Sequence, residues 1–304
     1  MLARRNQPVP HKNKIRQFIA TYKGYILVGL ALALAFSVRT AKKAQEAVVE
    51  ALGWSLSPNF FTDLRGKNLG AIGASVGVSM KRNTGANKAF DRARYDAAKA
   101  NPKVYWAVYD INADRLLAAS PNGNVNVYGA SVPKVCVSAA AFARQGGVLP
   151  SDADYGKVIR LLVLSDNTVW DDVGRLAGGD AGVNQWAASM GYNMRPARRA
   201  GNQSNAVDMC RFWSDVCHGR FPGADDIFRI TNSCQTGGSR SLRCMPSDVL
   251  MGGKTGTYEA NNHDTCWVQR GDRFFAITVL TELGGAGGDA IAHMFRGLYE
   301  DYCR

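Results

Sequence analysis

The sequence predicts an α+β domain in which terminal helices flank an antiparallel sheet and an all-α lobe is inserted. Apolar and β-branched residues alternate near both ends of the domain, which is typical of strands. A long helical region at about 126–232 separates these strands, and further helices are predicted at 86–99 and 287–302. Strands at both ends with helices between them favour one sheet plus a helical lobe. The predicted strands are 104–111, 116–119, 253–258, 265–270 and 274–281.

The net charge of +12 is concentrated at the N-terminus. Residues 1–45 contain nine of the basic residues and no acidic residue, so the rest of the chain carries a net charge of only +3. A nucleic-acid-binding domain would carry its basic residues on the folded part. We therefore expect no nucleic-acid partner.

An uncharged, largely apolar run of 15 residues occupies 24–38. The run reaches 21 residues if it starts at Phe18 and Lys23 extends to the membrane surface. A spanning helix needs about 20 residues, so 18–38 is predicted to contact the membrane. A cleaved signal peptide with a small-residue site at 33–35 is the alternative. The anchor is favoured because the preceding segment of 23 residues is long for a signal peptide.

More Lys and Arg residues precede the apolar run than follow it closely, which predicts a cytoplasmic N-terminus and an extracytoplasmic domain. The protein is thus expected in the cell membrane as a single-pass protein. The predicted parts are a basic cytoplasmic tail (1–23), a transmembrane anchor (24–38), a stalk with an irregular Gly-rich end (39–85) and a globular domain (86–304).

Seven cysteines in an exported domain permit disulfides. Cys234 and Cys244 enclose a Gly-Gly loop and are the best candidates for a bridge. Cys210 and Cys217 lie about 10 Å apart if they share a helix, which is too far for a bond. The Cys and His spacings do not match a zinc site, and no metal or cofactor is expected.

The first chemical motif places Ser131 three residues before Lys134 in an Ala-rich apolar segment. Residues 130–145 are predicted to form a buried helix with Ser131 in its first turn and Lys134 on the same face. A lysine accepts a proton only when it is neutral, and burial near a second cation such as Lys254 lowers its pKa. The pattern favours a serine nucleophile with a lysine base over a surface Ser–Lys pair, because the flanking residues are apolar.

The second motif is Ser165, Asp166 and Asn167, in a turn after a helical run. A Ser hydroxyl there can pass a proton to a leaving nitrogen, and an Asn amide can bind a substrate amide. Taken alone, the tripeptide is also compatible with an ordinary helix-terminating turn.

The third motif, Lys-Thr-Gly-Thr at 254–257, begins a predicted strand. Gly256 lets a ligand approach the backbone closely. Lys254 and the two Thr hydroxyls are suited to bind a carboxylate. The N–H groups of Thr257 and Ser131 are candidates for an oxyanion hole.

Together the three motifs resemble the signature of the penicillin-recognising serine hydrolase superfamily, which contains the serine β-lactamases and D,D-peptidases. The resemblance covers about 86–304 and is nearest to the class A β-lactamase-like branch. It implies that Ser131 is the acylated nucleophile, Lys134 its general base and Ser165 the proton shuttle. The residues that it implies for substrate binding are Asn167, Lys254, Thr255, Gly256 and Thr257.

One segment departs from the class A pattern. Class A β-lactamases carry an Ω-loop glutamate that activates the deacylating water, but the equivalent segment 191–202 contains three arginines and no acidic residue. The sequence therefore predicts an acyl-enzyme that is hydrolysed slowly. Glu259 and Asp264 are alternative bases, although both are interpreted as loop residues.

The predicted function is a membrane-anchored extracytoplasmic serine hydrolase that forms an acyl-enzyme with β-lactams or D-Ala-D-Ala-type cell-wall peptides. One alternative is a true β-lactamase with a non-standard deacylation base. Another is a non-catalytic module that binds or senses the cell wall, which the intact motifs disfavour.

Overall fold

The computed structural model of the protein describes residues 67–303. The predicted tail, anchor and most of the predicted stalk lie outside these residues. Within 67–303, no helix has both the length and the apolar character that a membrane span requires.

Most strands lie near the two ends of the domain, and its middle is mainly helical. The helices are α1 Leu69–Ser75, α2 Arg92–Lys99, α3 Lys134–Arg144, α4 Asp152–Ile159, α5 Trp170–Leu176, α6 Gly179–Ser189, α7 Ala206–Cys217, α8 Ala224–Thr231, α9 Ser241–Cys244 and α10 Gly287–Tyr302. The strands are β1 Val104–Asp110, β2 Arg115–Ala119, β3 Val127–Tyr128, β4 Gln203–Ser204, β5 Leu250–Tyr258, β6 Asn261–Arg270 and β7 Arg273–Thr281.

The main sheet has the strand order β2-β1-β7-β6-β5, and all its neighbouring pairs are antiparallel. Helices α2 and α10 cover one face, where Tyr95, Trp106 and Phe295 belong to the apolar core. Helix α7 covers the opposite face, where the Trp213 indole donates to Thr265 Oγ1 at 2.7 Å. The predicted antiparallel sheet with flanking terminal helices is therefore confirmed.

The helical lobe packs around α3, which contacts α5, α6 and α8. Strands β3 and β4 pair as a two-stranded ribbon in this otherwise helical region. Strand β3 lies just before Ser131 in the chain. Helix α7 begins where the Asn205 side chain accepts from the N–H of Asp208. The segment 191–202 leads into β4, and its Asn193 N–H donates to the Asp208 carboxylate of α7 at 2.7 Å.

The end of the predicted stalk is more ordered than its glycine content indicates. Helix α1 forms there, capped by the Asn68 side chain, and Leu69 is fully buried. Helix α1 packs against α4, where Gly156 leaves space for Val76. The sequence gives only a weak signal for helix α1, because its small residues are stabilised by tertiary contacts rather than by local helix propensity. The domain boundary at residue 86 remains a prediction.

The predicted bridge between Cys234 and Cys244 is wrong, since both cysteines are free and buried. Cys234 Sγ lies 3.2 Å from Thr236 Oγ1, whereas Cys244 Sγ donates to the carbonyl of Ala89 at 3.4 Å. The intervening segment includes helix α9, so it is not a simple loop that brings the two thiols together.

Candidate active site

Ser131 lies in a tight turn immediately before α3. Helix α3 begins at Lys134, so Ser131 is not inside its first turn as predicted. The preceding Ala130 has a φ of 50°, and the Val132 N–H donates to the Gly129 carbonyl at 2.9 Å. A positive φ at a residue other than glycine costs about 1–3 kcal/mol and is found mostly at functional sites. The turn leaves Ser131 partly exposed at the end of a buried helix.

Lys134 is fully buried, and its ammonium group donates to the second motif. Nζ lies 2.6 Å from the Ser165 carbonyl, 3.1 Å from Ser165 Oγ and 2.6 Å from Asn167 Oδ1. These contacts hold the end of the side chain in the space between α3 and the second motif. The structure therefore brings Lys134, Ser165 and Asn167 together. Lys134 is only three residues from Ser131 in the chain.

The surroundings of Lys134 lower its pKa. Burial is the largest cause, and the positive charges of Lys254 and Arg198 add to it, which brings the pKa to about 7. Asp166 acts in the opposite direction with a smaller effect. A lysine with this pKa is neutral in a substantial fraction of molecules at neutral pH, as a general base must be.

Ser165 connects the two buried lysines. It follows a π-helical turn, Arg160–Leu164, and adopts a left-handed conformation with a φ of 60°. Its Oγ lies 3.1 Å from Lys134 Nζ and 2.9 Å from Lys254 Nζ. Asp166 holds the turn in place, because its carboxylate accepts from Arg160 Nε at 2.9 Å and from the Thr168 N–H at 2.8 Å. The Ser165 hydroxyl can therefore pass protons between two amines.

The third motif lies on β5, at the edge of the sheet nearest Ser131. Lys254 is fully buried, and burial lowers its pKa. A Cβ added to Gly256 would lie 2.8 Å from the Gly129 carbonyl oxygen and 3.1 Å from the Ser131 nitrogen. Only glycine lets the strand approach the nucleophile turn this closely. The structure thus brings together all three motifs.

Arg240 is a site residue that the sequence analysis missed. Its guanidinium donates to the carbonyls of Gly256 and His263, each at 2.9 Å, and also to Thr257 Oγ1. The Thr255 hydroxyl in turn hydrogen-bonds Thr236. A fixed cation therefore lies beside the hydroxyls of the third motif. The available signal was an arginine in a Gly-rich segment shortly before that motif.

His263 links the segment just before Ser131 to the sheet. Its Nδ1 accepts from the Thr281 N–H at 3.1 Å, so the neutral ring carries its proton on Nε2, which donates to the Tyr128 carbonyl at 2.7 Å. Burial lowers the pKa of His263 to about 4. The imidazole is therefore neutral at physiological pH and makes both bonds.

Stability is expected to fall between pH 6.5 and 4 because of His263. The unfolded chain binds a proton below pH 6.5, whereas the folded ring resists it until about pH 4. The contribution is fully present above the unfolded pKa and is lost as the pH falls, with a maximum of about 3 kcal/mol. Urea unfolding at pH 7 and 4.5 measures this loss. The same loss in His263→Asn as in the wild type would contradict the assignment.

A tryptophan and an arginine cover the Ω-loop side of Lys134. The Trp170 ring centroid lies 4.7 Å from Lys134 Nζ, and the Arg198 guanidinium lies 5.1 Å over the same ring. Trp170 and Arg198 also line a cavity of about 400 Å³. Asp171, a carboxylate in this cavity, is paired with both Arg198 and Arg199. No acidic residue occurs in 191–202. The Ω-loop side of Lys134 is therefore formed by the Trp170 ring and the Arg198 guanidinium.

The two alternative bases lie in different settings. Asp264 is not a loop residue as interpreted but a fully buried residue of β6, where burial raises its pKa. It pairs with Thr255 across the sheet, so its side chain projects from the face opposite to that of Lys254. Glu259 lies in the exposed turn between β5 and β6, as predicted. The Asp264 carboxylate accepts from the Ser241 N–H at 3.2 Å and from Cys266 Sγ at 3.4 Å.

The chain matches the Beta-lactamase enzyme family over residues 150–298, a range that includes the second and third motifs. The fold of the described domain is also shared with solved β-lactamases. These matches support the penicillin-recognising serine hydrolase superfamily. The family match begins after Ser131 and Lys134, so the first motif is linked to the family by its position beside the other two.

Among solved structures, a β-lactamase from Chitinophaga pinensis is 18% identical, with a TM-score of 0.58, over 69% of this chain and 98% of that one. A β-lactamase from Sphaerobacter thermophilus is 19% identical, with a TM-score of 0.59, over 69% of this chain and 95% of that one. PBP-A is 15% identical, with a TM-score of 0.58, over 69% of this chain and 94% of that one. No curated protein matched the sequence. At these identities, the structures establish only that the described domain shares their fold.

Proposed function

We propose that this β-lactamase-like serine hydrolase forms an acyl-enzyme with β-lactams or D-Ala-D-Ala-type cell-wall peptides and releases the product slowly. The observation that carries the proposal is the Ser165 hydroxyl, which lies within 3.1 Å of two buried lysine amines. Two buried lysines with lowered pKa values around one hydroxyl are suited to proton transfer. Lysines in ordinary surface ion pairs keep a high pKa and are not arranged in this way.

In the proposed acylation step, Ser131 Oγ attacks the carbonyl carbon and its proton moves to neutral Lys134. The Ser131 and Thr257 N–H groups stabilise the negative charge on the carbonyl oxygen. As the carbon–nitrogen bond breaks, Ser165 donates a proton to the leaving nitrogen and regains one from Lys134. The products are the ester on Ser131 and the neutral leaving amine, which has gained the proton that Ser131 lost.

The same geometry favours a substrate with a carboxylate on its leaving side. Lys254, Thr255, Thr257 and Arg240 place positive charge and hydroxyl donors along the start of the third motif. β-Lactams and D-Ala-D-Ala peptides both carry a carboxylate at this side of the scissile bond. Asn167 Oδ1 accepts from Lys134 Nζ, so the NH2 group of its side chain is available to bind a substrate amide.

Replacing Arg240 by alanine is expected to weaken substrate binding more than it slows acylation. The carboxylate would lose a charge-assisted partner worth about 1.5–3 kcal/mol, or roughly 10- to 100-fold in apparent affinity. Acylation rates measured over a range of penicillin concentrations separate the two effects. Arg243→Ala is the control, since Arg243 pairs with Asp289 instead. An unchanged half-saturation concentration in Arg240→Ala would contradict carboxylate binding.

Slow deacylation is supported by the wall on the Ω-loop side. Trp170 covers Lys134, and Arg198, from the segment 191–202 that is equivalent to the class A Ω-loop, lies over the same ring. The Asp171 carboxylate is paired with two arginines, and the buried Asp264 carboxylate is held by the Ser241 N–H. These contacts favour a peptidase-like or slow specialised hydrolase over an efficient β-lactamase.

Turnover of a chromogenic cephalosporin tests the function. We expect a burst of about one equivalent followed by slow release, because the acyl-enzyme accumulates when deacylation limits the rate. Ser131→Ala should show no burst. Sustained hydrolysis would favour a β-lactamase with another base, whereas a folded protein with no burst would favour a non-catalytic wall-binding module.

The membrane anchor at 24–38 and the extracytoplasmic domain remain part of this proposal. They are supported by the apolar run and the basic residues before it. Alkaline carbonate extraction of membranes, together with protease digestion of intact spheroplasts, tests both. Release of the full-length chain by carbonate would contradict the anchor, and protection of the domain in spheroplasts would contradict the orientation.

A further inference from the structure

We propose that Tyr128, Tyr258 and Glu259 form an acyl-side recognition patch that selects a planar apolar group and disfavours an anionic one. This inference rests on the proposed function, because it concerns the part of the substrate that stays on Ser131. The three residues are outside the sequence motifs and contact none of the catalytic amines through the bonds described above.

The two tyrosines form an exposed aromatic pair. Their ring centroids lie 5.2 Å apart with an interplanar angle of 48°. Tyr128 is 42% exposed and Tyr258 is 52% exposed, so both rings are open to a ligand. Exposed apolar groups that cluster at a cleft are more often binding surfaces than isolated ones are.

The position of the pair relative to Ser131 is fixed by the backbone. Tyr128 precedes Ser131 by one short turn, and its carbonyl accepts from His263 at 2.7 Å. Tyr258 follows Thr257 on β5, whose Gly256 lies against the Ser131 nitrogen. Both rings therefore lie beside the predicted oxyanion hole on rigid elements.

The direction of β5 decides which part of a substrate meets the rings. Lys254 contacts Ser165, so that end of the strand faces the leaving group. Tyr258 is four residues further along, about 13 Å at the usual rise of a strand. With the carbonyl oxygen at Thr257, the leaving nitrogen points toward Ser165 and the acyl group points toward Tyr258. The aromatic pair is thus on the acyl side.

Charge near the pair disfavours an anionic acyl group. The exposed Glu259 carboxylate lies beside the Tyr258 hydroxyl and raises its pKa. Arg240 reaches Thr257, whose side chain projects from the opposite face of the strand to Tyr258. Glu259 would therefore repel an anionic group over the rings, and Arg240 would not compensate because it lies on the other face of the strand. A neutral or cationic group would not be repelled.

Three penicillins with the same reactive core test the proposal on the full-length protein. 6-Aminopenicillanic acid has a free amine in place of the acyl side chain, benzylpenicillin carries a phenylacetyl group on that amine, and carbenicillin carries the same group with an added carboxylate. The second-order acylation rate is measured by intact mass for the wild type, Tyr128→Ala, Tyr258→Ala, Tyr258→Phe and Glu259→Gln. Leu116→Ala is the control, since Leu116 is 43% exposed on β2 at the far edge of the sheet.

We expect each Tyr→Ala change to lower the rate ratio of benzylpenicillin to 6-aminopenicillanic acid about fivefold, with Tyr258→Phe and Leu116→Ala near the wild type. Glu259→Gln should raise the ratio of carbenicillin to benzylpenicillin about threefold, and salt should reduce this difference. Equal loss for both substrates in the Tyr→Ala variants, or no change, overturns the aromatic part. An unchanged carbenicillin ratio in Glu259→Gln overturns the charge part. Failure of the wild type to form an adduct with any penicillin overturns the proposed function, and this inference with it.

Discussion

Lys134→Ala is expected to lower the acylation rate about a thousandfold, within the range seen when a general base is removed. Lys134 is the buried amine three residues after Ser131, and its pKa of about 7 makes it a base at neutral pH. The measurement is the rate of adduct formation with benzylpenicillin. In the wild type, this rate should rise with pH through about 7, because the neutral lysine is the active form.

Lys103→Ala is the matched control, since Lys103 is an exposed lysine of the same domain. It should acylate at the wild-type rate. Circular dichroism melts would separate loss of catalysis from loss of folding. A folded Lys134→Ala protein that acylates within tenfold of the wild type, with an unchanged pH profile, would contradict the role of Lys134.

Ser165→Ala is expected to lower acylation about a hundredfold or more. The substitution removes the hydroxyl that joins Lys134 to Lys254, so the leaving nitrogen loses its proton donor. The effect should be larger for substrates with a poor leaving amine, such as a peptide, than for a strained β-lactam. Rates with a D-Ala-D-Ala peptide and with benzylpenicillin measure this difference.

A second hydroxyl in the same turn provides the control for Ser165. Thr168 bonds the Asp166 carboxylate at 2.7 Å through its side chain. Thr168→Ala should therefore cost far less activity than Ser165→Ala. Equal losses in the two variants would indicate that the turn, rather than the Ser165 hydroxyl, supports acylation.

The fold could be predicted from the sequence because local patterns and topology agree. Apolar residues of β1 and β2 flank a short polar turn, and α10 carries a long apolar stripe. Antiparallel pairing of successive strands then leaves few arrangements. Segment ends were less predictable, since Ala130 adopts a positive φ through tertiary contacts and delays the start of α3 to Lys134.

The motif residues of the candidate site could be predicted, but the residues around them could not. Trp170 covers Lys134, Arg240 reaches the third motif, and His263 holds the Tyr128 carbonyl. Each acts on a segment that is distant in sequence, so no local pattern marks it. Aromatic and basic residues are also common in ordinary surfaces and cores, which hides their role until the contacts are known.

Ser131 acylation and slow release are both tested by intact mass of the full-length protein at successive times after mixing with benzylpenicillin. We expect one penicilloyl adduct, located on the peptide that contains Ser131, which persists while free drug remains in solution. Ser131→Ala should carry no adduct. An adduct on another residue would contradict the assignment of the nucleophile, and one that forms and disappears as the drug is consumed would contradict slow deacylation.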